Sequence, residues 1–313
     1  MDISIIVVSF NTKGLLLDCL ASIFKTIKGM SFEVWVVDNN STDGTVEAIR
    51  ERYFDINIIQ NTKNLGFAAA NNQAFRQMNG DYALLLNTDT VLTNGAVKEL
   101  FDFMEANPEA GMACGQLLNL DGSSQNSIAN FPTALTLLSN ETLLRILLPK
   151  KFPSKRREYV SPLKIDSCIG ACLMARKKAM DDIGLFDERY FFFFEETDWA
   201  YRMKRGGWAI YLVPTAKIFH AQGKTVGDTL NSRIMFYRSR YLFFKKWRPH
   251  SYPLFYSVIF LRLIANIILS LMGLLFTGGF KISIRKKFIV YIQLLIWHLH
   301  GCKEKQAQGL QTL

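Results

Sequence analysis

The stretch FFFFEETDW (191–199) places three carboxylates directly after four phenylalanines. The acids Glu195, Glu196 and Asp198 stand where a helix is predicted to begin, and acids at a helix start are stabilised by the helix dipole. Three acids exceed what a helix start requires, and the neighbouring aromatic side chains favour burial. Burial raises the pKa of a carboxylate, which suits a general base. The stretch is thus a helix start or a dry site for proton abstraction, and the residues alone do not choose among the three acids.

Asp38 ends another apolar run, in the stretch VVDNNSTDGT (36–45). At the end of a buried strand, its carboxylate could accept hydrogen bonds from a nucleobase N–H group or a ribose hydroxyl group. The turn and helix start behind it are also a common capping pattern. Capping is the more frequent explanation of such a pattern, so Asp38 by itself is only a candidate for nucleotide binding.

Asp89 and His220 are candidate metal ligands. The triplet NTD (87–89) follows a very apolar run, and hard oxygen ligands there suit Mg²⁺ or Mn²⁺, which commonly share substrate phosphates. The same triplet also favours a plain turn. His220 ends a predicted strand and could bind Mn²⁺, although a single histidine is usually a satisfied polar group.

Alternating strand and helix patterns organise the first part of the chain. Runs of strand length lie at 3–10, 32–38, 56–61 and 81–86, and helical patterns lie at 12–26, 41–53 and 66–78. This alternation predicts an α/β fold with a parallel sheet and helices on both faces. Ligands bind such sheets at the carboxyl ends of the strands. The polar residues expected at that edge are Ser9, Asn11, Asp38, Asn39, Asn40, Asn64, Asn87 and Asp89.

The part of the chain after residue 110 is less regular. Strands are predicted at 112–123, with a turn at its end, at 170–177 (GACLMARK) and at 208–220. Helices are predicted at 133–148, in a short segment that ends at Ile183, and from Glu195 to Gly206. The stretch 149–164 is predicted to be a loop. The five cysteines form no CxxC pair, so we expect structural burial instead of metal or redox use.

The positive charge belongs to the end of the chain. The net charge is +10, and 241–313 carry ten Lys and Arg and one acid, whereas 1–240 carry 27 basic and 26 acidic groups. Basic groups interleaved with apolar runs indicate an anionic membrane surface and not nucleic acid. No signal peptide is visible before the first strand, so we expect the body in the cytoplasm.

The apolar run 254–276 is long enough to span a bilayer, but Arg262 and Asn266 interrupt it and basic clusters flank both ends. A single crossing would leave one cluster on the wrong side, and the run 288–299 is too short to span comfortably. We therefore favour helices in the membrane interface or a shallow hairpin. A single span and a soluble helical cap on the core are the alternatives.

Taken together, these motifs resemble glycosyltransferase family 2, the inverting nucleotide-sugar transferases with a GT-A fold, and its rhamnosyltransferase-like and galactofuranosyltransferase-like bacterial branch in particular. The resemblance covers about 1–225. It rests on VVSFN, VVDNNSTDGT, NLGFAAANN, LLLNTDT, GACLMARKKAMDDIGLFDERYFFFFEETDWAYR and His220, in the order of the family.

The resemblance implies a role for each motif. Glu196 stands at the position of the catalytic base, with Glu195 and Asp198 supporting it or meeting the acceptor. Asp89 and His220 stand at the positions of the metal ligands, for Mn²⁺ or Mg²⁺. The implied donor-binding set is Ser9, Asn11, Asp38, Asn40, Asn64, Gly66 and Asn87.

Two departures from the family pattern bear on the site. Asn87 replaces the first Asp of the metal motif, which removes one negative charge near the metal, and the base position holds Glu in place of Asp. No QxxRW sequence occurs, which argues against a processive synthase.

The implied function is transfer from a UDP- or dTDP-sugar, with dTDP-rhamnose favoured. The acceptor is expected to be a glycan or a polyprenyl-diphosphate-linked sugar of a bacterial cell-surface polysaccharide. The expected domains are a catalytic domain at 1–240, divided at 110 into nucleotide- and acceptor-binding halves, and a membrane-associating tail at 241–313. The expected location is the cytoplasmic face of the plasma membrane, with peripheral or monotopic attachment. The alternatives are an inactive nucleotide-sugar-binding module and a nucleotidyltransferase. A nucleotidyltransferase needs a basic, glycine-rich loop after its first strand, and SFNTKG supplies only one lysine and one glycine there.

Overall fold

The computed structural model describes residues 1–138, 144, 146–149, 151–153, 158–221, 229–278 and 280–302. The chain divides into two compact units. The first unit contains Met1–Phe131 and Leu148–Thr225, and the second contains Pro132–Leu147 and Val226–Leu313. The second unit therefore begins before the expected boundary at 240 and includes an inserted segment. The functional division of the chain at 110 and 240 stays a prediction.

Four parallel strands form one half of the sheet in the first unit, in the order β3-β2-β1-β4. These strands are β1 (Ile3–Ser9), β2 (Phe32–Asp38), β3 (Ile56–Gln60) and β4 (Tyr82–Asn87). The helices between them are α1 (Lys13–Thr26), α2 (Thr45–Arg52) and α3 (Phe67–Phe75). Helix α2 begins four residues later than its pattern predicts, because 41–44 form a turn whose polar groups bind the preceding loops.

The other half of the sheet contains strands of mixed direction. Strand β10 (Cys172–Arg176) lies between β4 and β6 (Ala110–Leu118) and is antiparallel to both. Strand β11 (Ala209–His220) is parallel to β6 and antiparallel to β5 (Thr90–Leu92). The remaining elements of this unit are α4 (Ala96–Ala106), β7 (Ile128–Ala129), β8 (Leu163–Lys164), β9 (Ser167–Cys168), α6 (Lys177–Ile183) and α7 (Glu195–Arg205). The predicted loop at 149–164 thus ends in a short strand that pairs with β11.

Apolar side chains pack on both faces of this sheet, because a strand alternates its side chains between the two faces. Ile3, Ile5 and Val7 belong to the core cluster on the α1 and α4 face, whereas Ile6 belongs to the cluster on the α3 and α7 face. The fold is therefore the predicted α/β arrangement with a mainly parallel sheet. Four of the five cysteines, Cys19, Cys114, Cys168 and Cys172, are buried free thiols, as predicted.

The second unit is helical. Its described elements are α5 (Ala134–Leu138), α8 (Leu230–Trp247), a 3₁₀ turn (Pro249–Ser251), α9 (Tyr252–Phe276) and α10 (Ile282–Leu299). Residues 139–143 and 145 of the helix predicted at 133–148, and residues 150 and 154–157 of the predicted loop, lie outside the described residues. A buried hydrogen bond joins Tyr241 Oη and His298 Nδ1 at 2.8 Å, and Tyr256 donates to the His298 carbonyl oxygen at 2.8 Å.

Helix α9 is buried only near its beginning. Its buried residues are Phe255, Ile259 and Leu263. The segment Pro249–Phe276 is long and apolar enough to cross a bilayer, and 11% of its most apolar stretch is buried. Length and composition alone do not distinguish a transmembrane helix from an interfacial one.

Candidate active site

The loops that follow β1 and β2 are joined by hydrogen bonds. The Asn11 N–H group donates to Ser41 Oγ at 2.9 Å, and the Thr42 N–H group donates to Asn11 Oδ1 at 2.8 Å. Asn11 and Asn40 have positive φ angles of 52° and 70°, a conformation that asparagine tolerates better than most residues. These contacts fix the edge of the sheet beside Asp38.

Asp38 is completely buried and has one free oxygen. Its Oδ2 atom accepts a hydrogen bond from the Ser41 N–H group at 2.9 Å, whereas its Oδ1 atom is buried and meets no hydrogen-bond partner within the residues that the structure describes. Ser9 lies beside it in the β1–β2 register and contacts Thr12 Oγ1 at 3.1 Å. A buried carboxylate oxygen without a donor is costly, so its presence here suits a ligand that supplies an N–H or O–H group.

Gly66 joins the donor-side loops to the phenylalanine run. Its N–H group donates to Asn64 Oδ1 at 2.9 Å, its carbonyl oxygen accepts from Asn39 Nδ2 at 3.2 Å, and the next N–H group, of Phe67, donates to the Phe191 carbonyl at 2.7 Å. A Cβ atom at this position would lie 2.7 Å from Phe191 Cδ2 and still closer to the Phe191 carbonyl oxygen. Only glycine therefore permits this approach.

Two consecutive aromatic residues lead into helix α7 with left-handed backbones. The φ angles of Phe193 and Phe194 are 69° and 70°, and such angles are uncommon for bulky side chains. Phe192 packs edge-on against Phe67 with 6.0 Å between ring centroids. The contact at Gly66 and these two backbones set where α7 begins.

The three acids of α7 occupy different environments. Glu195 is buried, and none of the described residues forms a hydrogen bond with its Oε2 atom. Glu196 is half-buried, and its Oε1 atom lies 3.3 Å from Thr197 Oγ1. Burial raises the pKa of Glu196 to about 7, and burial together with the charge of Glu196 raises the pKa of Glu195 well above its ordinary value.

Asp198 differs from its two neighbours, because it is engaged on the inner side of the helix. It is completely buried, and its carboxylate lies 3.0 Å from Arg202 Nε and 3.4 Å from Tyr190 Oη. Arg202 also donates to the carbonyl oxygens of Ile183 and Leu185. These contacts tie α7 to the end of α6 and favour a structural function for Asp198.

Asp89 and His220 lie side by side. Both are buried, and His220 Nε2 is 3.4 Å from Asp89 Oδ1, which has no hydrogen-bond partner among the described residues. The β5–β11 register pairs His220 with Thr90 and so carries the histidine to the end of β4. Within the described residues no group of three or more His, Cys, Asp or Glu side chains could hold a metal ion. Two protein ligands nevertheless suit a cation that also binds substrate phosphates.

The main chain between β9 and β10 connects Glu196 to the end of β4. A Cβ atom at Gly170 would lie 3.8 Å from Glu196 Cγ, and the Ala171 carbonyl oxygen accepts from the Asn87 N–H group at 2.9 Å. Gly170, next to Glu196, and Ala171, bonded to Asn87, are neighbours in the chain, so this loop links Glu196 to the end of β4. The structure brings the predicted residues to one edge of the sheet in the first unit.

The family model for glycosyl transferase family 2 matches residues 4–184, which is more than half of the chain. The chain belongs to glycosyl transferase family 2. The protein is accordingly a glycosyltransferase, and members of this family commonly use divalent cations.

Two relatives of this family 2 glycosyltransferase are named as rhamnosyltransferases. It is 28% identical over 226 residues to the N-acetylglucosaminyl-diphospho-decaprenol L-rhamnosyltransferase of Mycobacterium tuberculosis, covering 67% of this chain and 73% of the relative. It is 23% identical over 229 residues to the dTDP-rhamnosyl transferase RfbF of Shigella flexneri, covering 71% and 70%. A crystal structure of residues 1–349 of S. aureus TarS is similar with a TM-score of 0.52 and 16% identity, over 96% of this chain and 92% of that one. This last similarity supports the fold alone.

Two contacts in the site of this family 2 enzyme could not be predicted from the sequence. Gln125 lies in the loop between β6 and β7, and its Oε1 atom is 2.6 Å from His220 Nδ1. The Gly66–Phe191 contact joins residues far apart in sequence, and neither motif indicates the other. The individual roles predicted for the donor, metal and base residues remain predictions.

Proposed function

We propose that this enzyme transfers L-rhamnose from dTDP-rhamnose, with inversion, to a polyprenyl-diphosphate-linked sugar in cell-surface polysaccharide synthesis. The observation that carries the proposal is Glu196, a half-buried carboxylate with a pKa of about 7 beside the end of β4. The names of the two rhamnosyltransferase relatives support the choice of donor and acceptor.

Glu196 is the proposed general base. A base works best when its pKa lies near the working pH, because it is then deprotonated and still holds the transferred proton. In the proposed step the acceptor O–H proton passes to Glu196 while the oxygen bonds to the anomeric carbon. The bond from that carbon to the nucleoside diphosphate breaks on the opposite face, and its electron pair leaves with the diphosphate. The aromatic run limits competing attack by water.

The second acid of the pair supports the first. Glu195 is buried with a free oxygen, and its raised pKa favours the neutral form. A neutral Glu195 leaves the negative charge of the pair on Glu196, where the acceptor is expected. Asp198 serves this site indirectly, since its pairing with Arg202 holds α7 in place.

Asp89 and His220 are the proposed ligands of a divalent cation. The donor set suits Mn²⁺ or Mg²⁺, since Asp89 Oδ1 is buried without a donor and faces an imidazole nitrogen at 3.4 Å. A cation bound there supplies positive charge against the charge that grows on the leaving diphosphate. The neutral amide of Asn87 leaves Asp89 as the one carboxylate of this triplet.

Asp38 is the proposed partner of the nucleoside. Its free Oδ1 atom can accept a hydrogen bond from a thymine N–H group or a ribose-type hydroxyl group. Ser9, Asn11, Asn40 and Asn64 complete the proposed donor-binding edge, and Gly66 serves it by allowing the approach of Phe191.

The second unit is proposed to bind the cytoplasmic face of the membrane as a monotopic hairpin. Leu275, Phe276 and Phe280, around the turn between α9 and α10, are 74%, 85% and 90% exposed. Exposed cations at 281 and 285–287 follow at the start of α10, where the helix dipole disfavours positive charge. Anionic lipid headgroups would neutralise these cations while the apolar turn enters the lipid.

The proposed function is tested by assaying product formation from dTDP-L-rhamnose and an N-acetylglucosaminyl diphosphate lipid, with Mn²⁺ or Mg²⁺. We expect a rhamnosylated lipid of inverted anomeric configuration and acceptor-dependent release of dTDP. UDP-glucose and UDP-galactofuranose serve as control donors. Donor binding without any transfer would instead support an inactive binding module, and preferential use of a UDP-sugar would overturn the choice of donor.

A further inference from the structure

Gln125 contacts the histidine of the proposed metal pair and has a fixed orientation. It is buried, and its Nε2 atom donates to Asn119 Oδ1 at 2.9 Å and to the His220 carbonyl oxygen at 3.2 Å. A carbonyl oxygen can only accept a hydrogen bond. The amide nitrogen of Gln125 therefore lies on that side, and the Oε1 atom is the one that faces the imidazole.

The orientation of Asn119 is fixed in the same way by a chain of hydrogen bonds that begins at the surface. The Ser123 hydroxyl donates to the Asp121 carboxylate at 2.6 Å, so Ser123 Oγ accepts from Asn119 Nδ2 at 2.9 Å. Asn119 Oδ1 is then the atom that accepts from Gln125. Each link in the chain from Asp121 to Gln125 thus has one direction only.

The last link determines which imidazole nitrogen carries the proton. Gln125 Oε1 lies 2.6 Å from His220 Nδ1, and this oxygen can only accept, so Nδ1 carries the hydrogen. In the neutral form of the ring, Nε2 is consequently the nitrogen without a hydrogen. It faces Asp89 Oδ1 at 3.4 Å, and no donor in the described part of the chain bonds to that oxygen.

We propose that Gln125 is a positioning residue that holds His220 in its Nδ1–H tautomer, so that the Nε2 lone pair and Asp89 are presented together to a divalent cation. The presentation of Nε2 to a cation rests on the metal site of the proposed function. The tautomer itself follows from the hydrogen bonds and can be measured without metal. Such outer partners of ligating histidines fix ring orientation and raise metal affinity.

The tautomer is tested by ¹⁵N NMR of the metal-free full-length protein labelled at histidine, with His220→Gln used to assign the signal. The spectra are recorded at a pH at which the ring signal shows the neutral form, and there we expect a protonated Nδ1 and an unprotonated Nε2 in the wild type. In Gln125→Leu the acceptor is lost, and the ring should shift toward the Nε2–H form that free neutral imidazole side chains favour. An Nε2–H form in the wild type would overturn the proposal.

Gln125→Glu separates positioning from simple structural support. Glutamate retains an acceptor for Nδ1–H but cannot donate to Asn119 and the His220 carbonyl oxygen. The proposal therefore expects the Nδ1–H tautomer to persist in this variant. If Gln125→Glu loses the tautomer as fully as Gln125→Leu, the residue is only a structural support.

Metal affinity supplies a second measurement, by titration with Mn²⁺ and electron paramagnetic resonance. We expect Gln125→Leu to weaken Mn²⁺ binding about 10- to 100-fold and Gln125→Glu to change it only a few-fold. The control is Gln116→Leu, because Gln116 is a buried amide on the neighbouring strand β6, and its Nε2 atom donates to the Gln125 carbonyl oxygen and Ser127 Oγ and not to the ring.

The two proposals fail in distinguishable ways. If the wild type binds Mn²⁺ and Gln125→Leu binds it equally well, the positioning function is wrong and the metal site stands. If the wild type has the Nδ1–H tautomer but binds no Mn²⁺, the proposed metal site is wrong and the control of the tautomer by Gln125 is supported.

Discussion

Replacement of Gly66 by alanine is expected to destabilise the fold and displace the start of α7. The backbone of Gly66 has φ 83° and ψ 177°, a conformation that is essentially restricted to glycine and costs other residues about 1–3 kcal/mol. The added methyl group would also lie 2.7 Å from Phe191 Cδ2, and overpacking of this kind costs about 1–3 kcal/mol. The two contributions together predict a loss of about 2–6 kcal/mol in the free energy of unfolding.

Gly95→Ala is the matched control. Gly95 also has a positive φ angle, 81° with ψ −11°, and precedes helix α4. A Cβ atom there would meet nothing within 4 Å, so this substitution carries the backbone cost alone, about 1–2 kcal/mol. The backbone costs at the two positions overlap, so a clearly larger loss in Gly66→Ala reports mainly the contact with Phe191.

Urea denaturation and transfer kinetics measure the two effects of Gly66→Ala. A shift of about 1 Å in a catalytic group can lower the rate about 10²-fold, so kcat should fall strongly in Gly66→Ala and little in Gly95→Ala. Equal destabilisation of the two variants would refute the steric argument. A folded Gly66→Ala enzyme with normal kcat would refute the link between Gly66 and α7.

Three further predictions concern the base, its helix and the hairpin. Because burial raises the pKa of folded Glu196 to about 7, kcat/KM should fall about tenfold per pH unit below 7, and a flat profile down to pH 5 would contradict the assignment. A carboxyl group with a raised pKa in the folded state stabilises the fold only while it is protonated. The free energy of unfolding should therefore decrease as pH rises through 5–7, and Glu196→Gln should remove part of that decrease. Asp198→Asn should lower the free energy of unfolding by about 3–5 kcal/mol, because it leaves Arg202 partly buried without its charge partner, and urea denaturation would show no loss if the pair were unimportant. Changing Leu275 and Phe276 to serine should weaken binding to anionic vesicles, measured by sedimentation, more than 10-fold. Each substitution removes an apolar side chain whose burial contributes about 1.5–3 kcal/mol, and unchanged binding would exclude the hairpin turn as the membrane contact.

The parallel half of the sheet and its polar edge could be predicted from sequence, because both follow from local patterns. Apolar residues make up most of β1, β2 and β4, and Asp38 and Asn87 come at the carboxyl ends of β2 and β4. Successive strands of such a pattern pair in parallel and bring their ends together. The position of the donor edge therefore required no information about distant contacts.

The other half of the site depends on contacts between distant segments, which carry no local signal. The insertion of β10 between β4 and β6 brings Gly170 beside Glu196, but GACLMARK reads only as a strand. Gln125 resembles any polar turn residue until β11 places His220 next to it. Similarly, EETD does not reveal that Asp198 is paired with Arg202 on the buried side of α7, whereas Glu196 is only half-buried.

The central claim is that Glu196 removes the acceptor proton. It is tested most directly by the single-turnover transfer rate of Glu196→Gln at saturating dTDP-rhamnose and acceptor, with the exposed Glu51→Gln on α2 as control. We expect a rate lowered about 10²- to 10⁴-fold, unchanged donor affinity, and a normal rate for Glu51→Gln. A rate within a few-fold of wild type would contradict it, most clearly if Glu195→Gln abolished transfer under the same conditions.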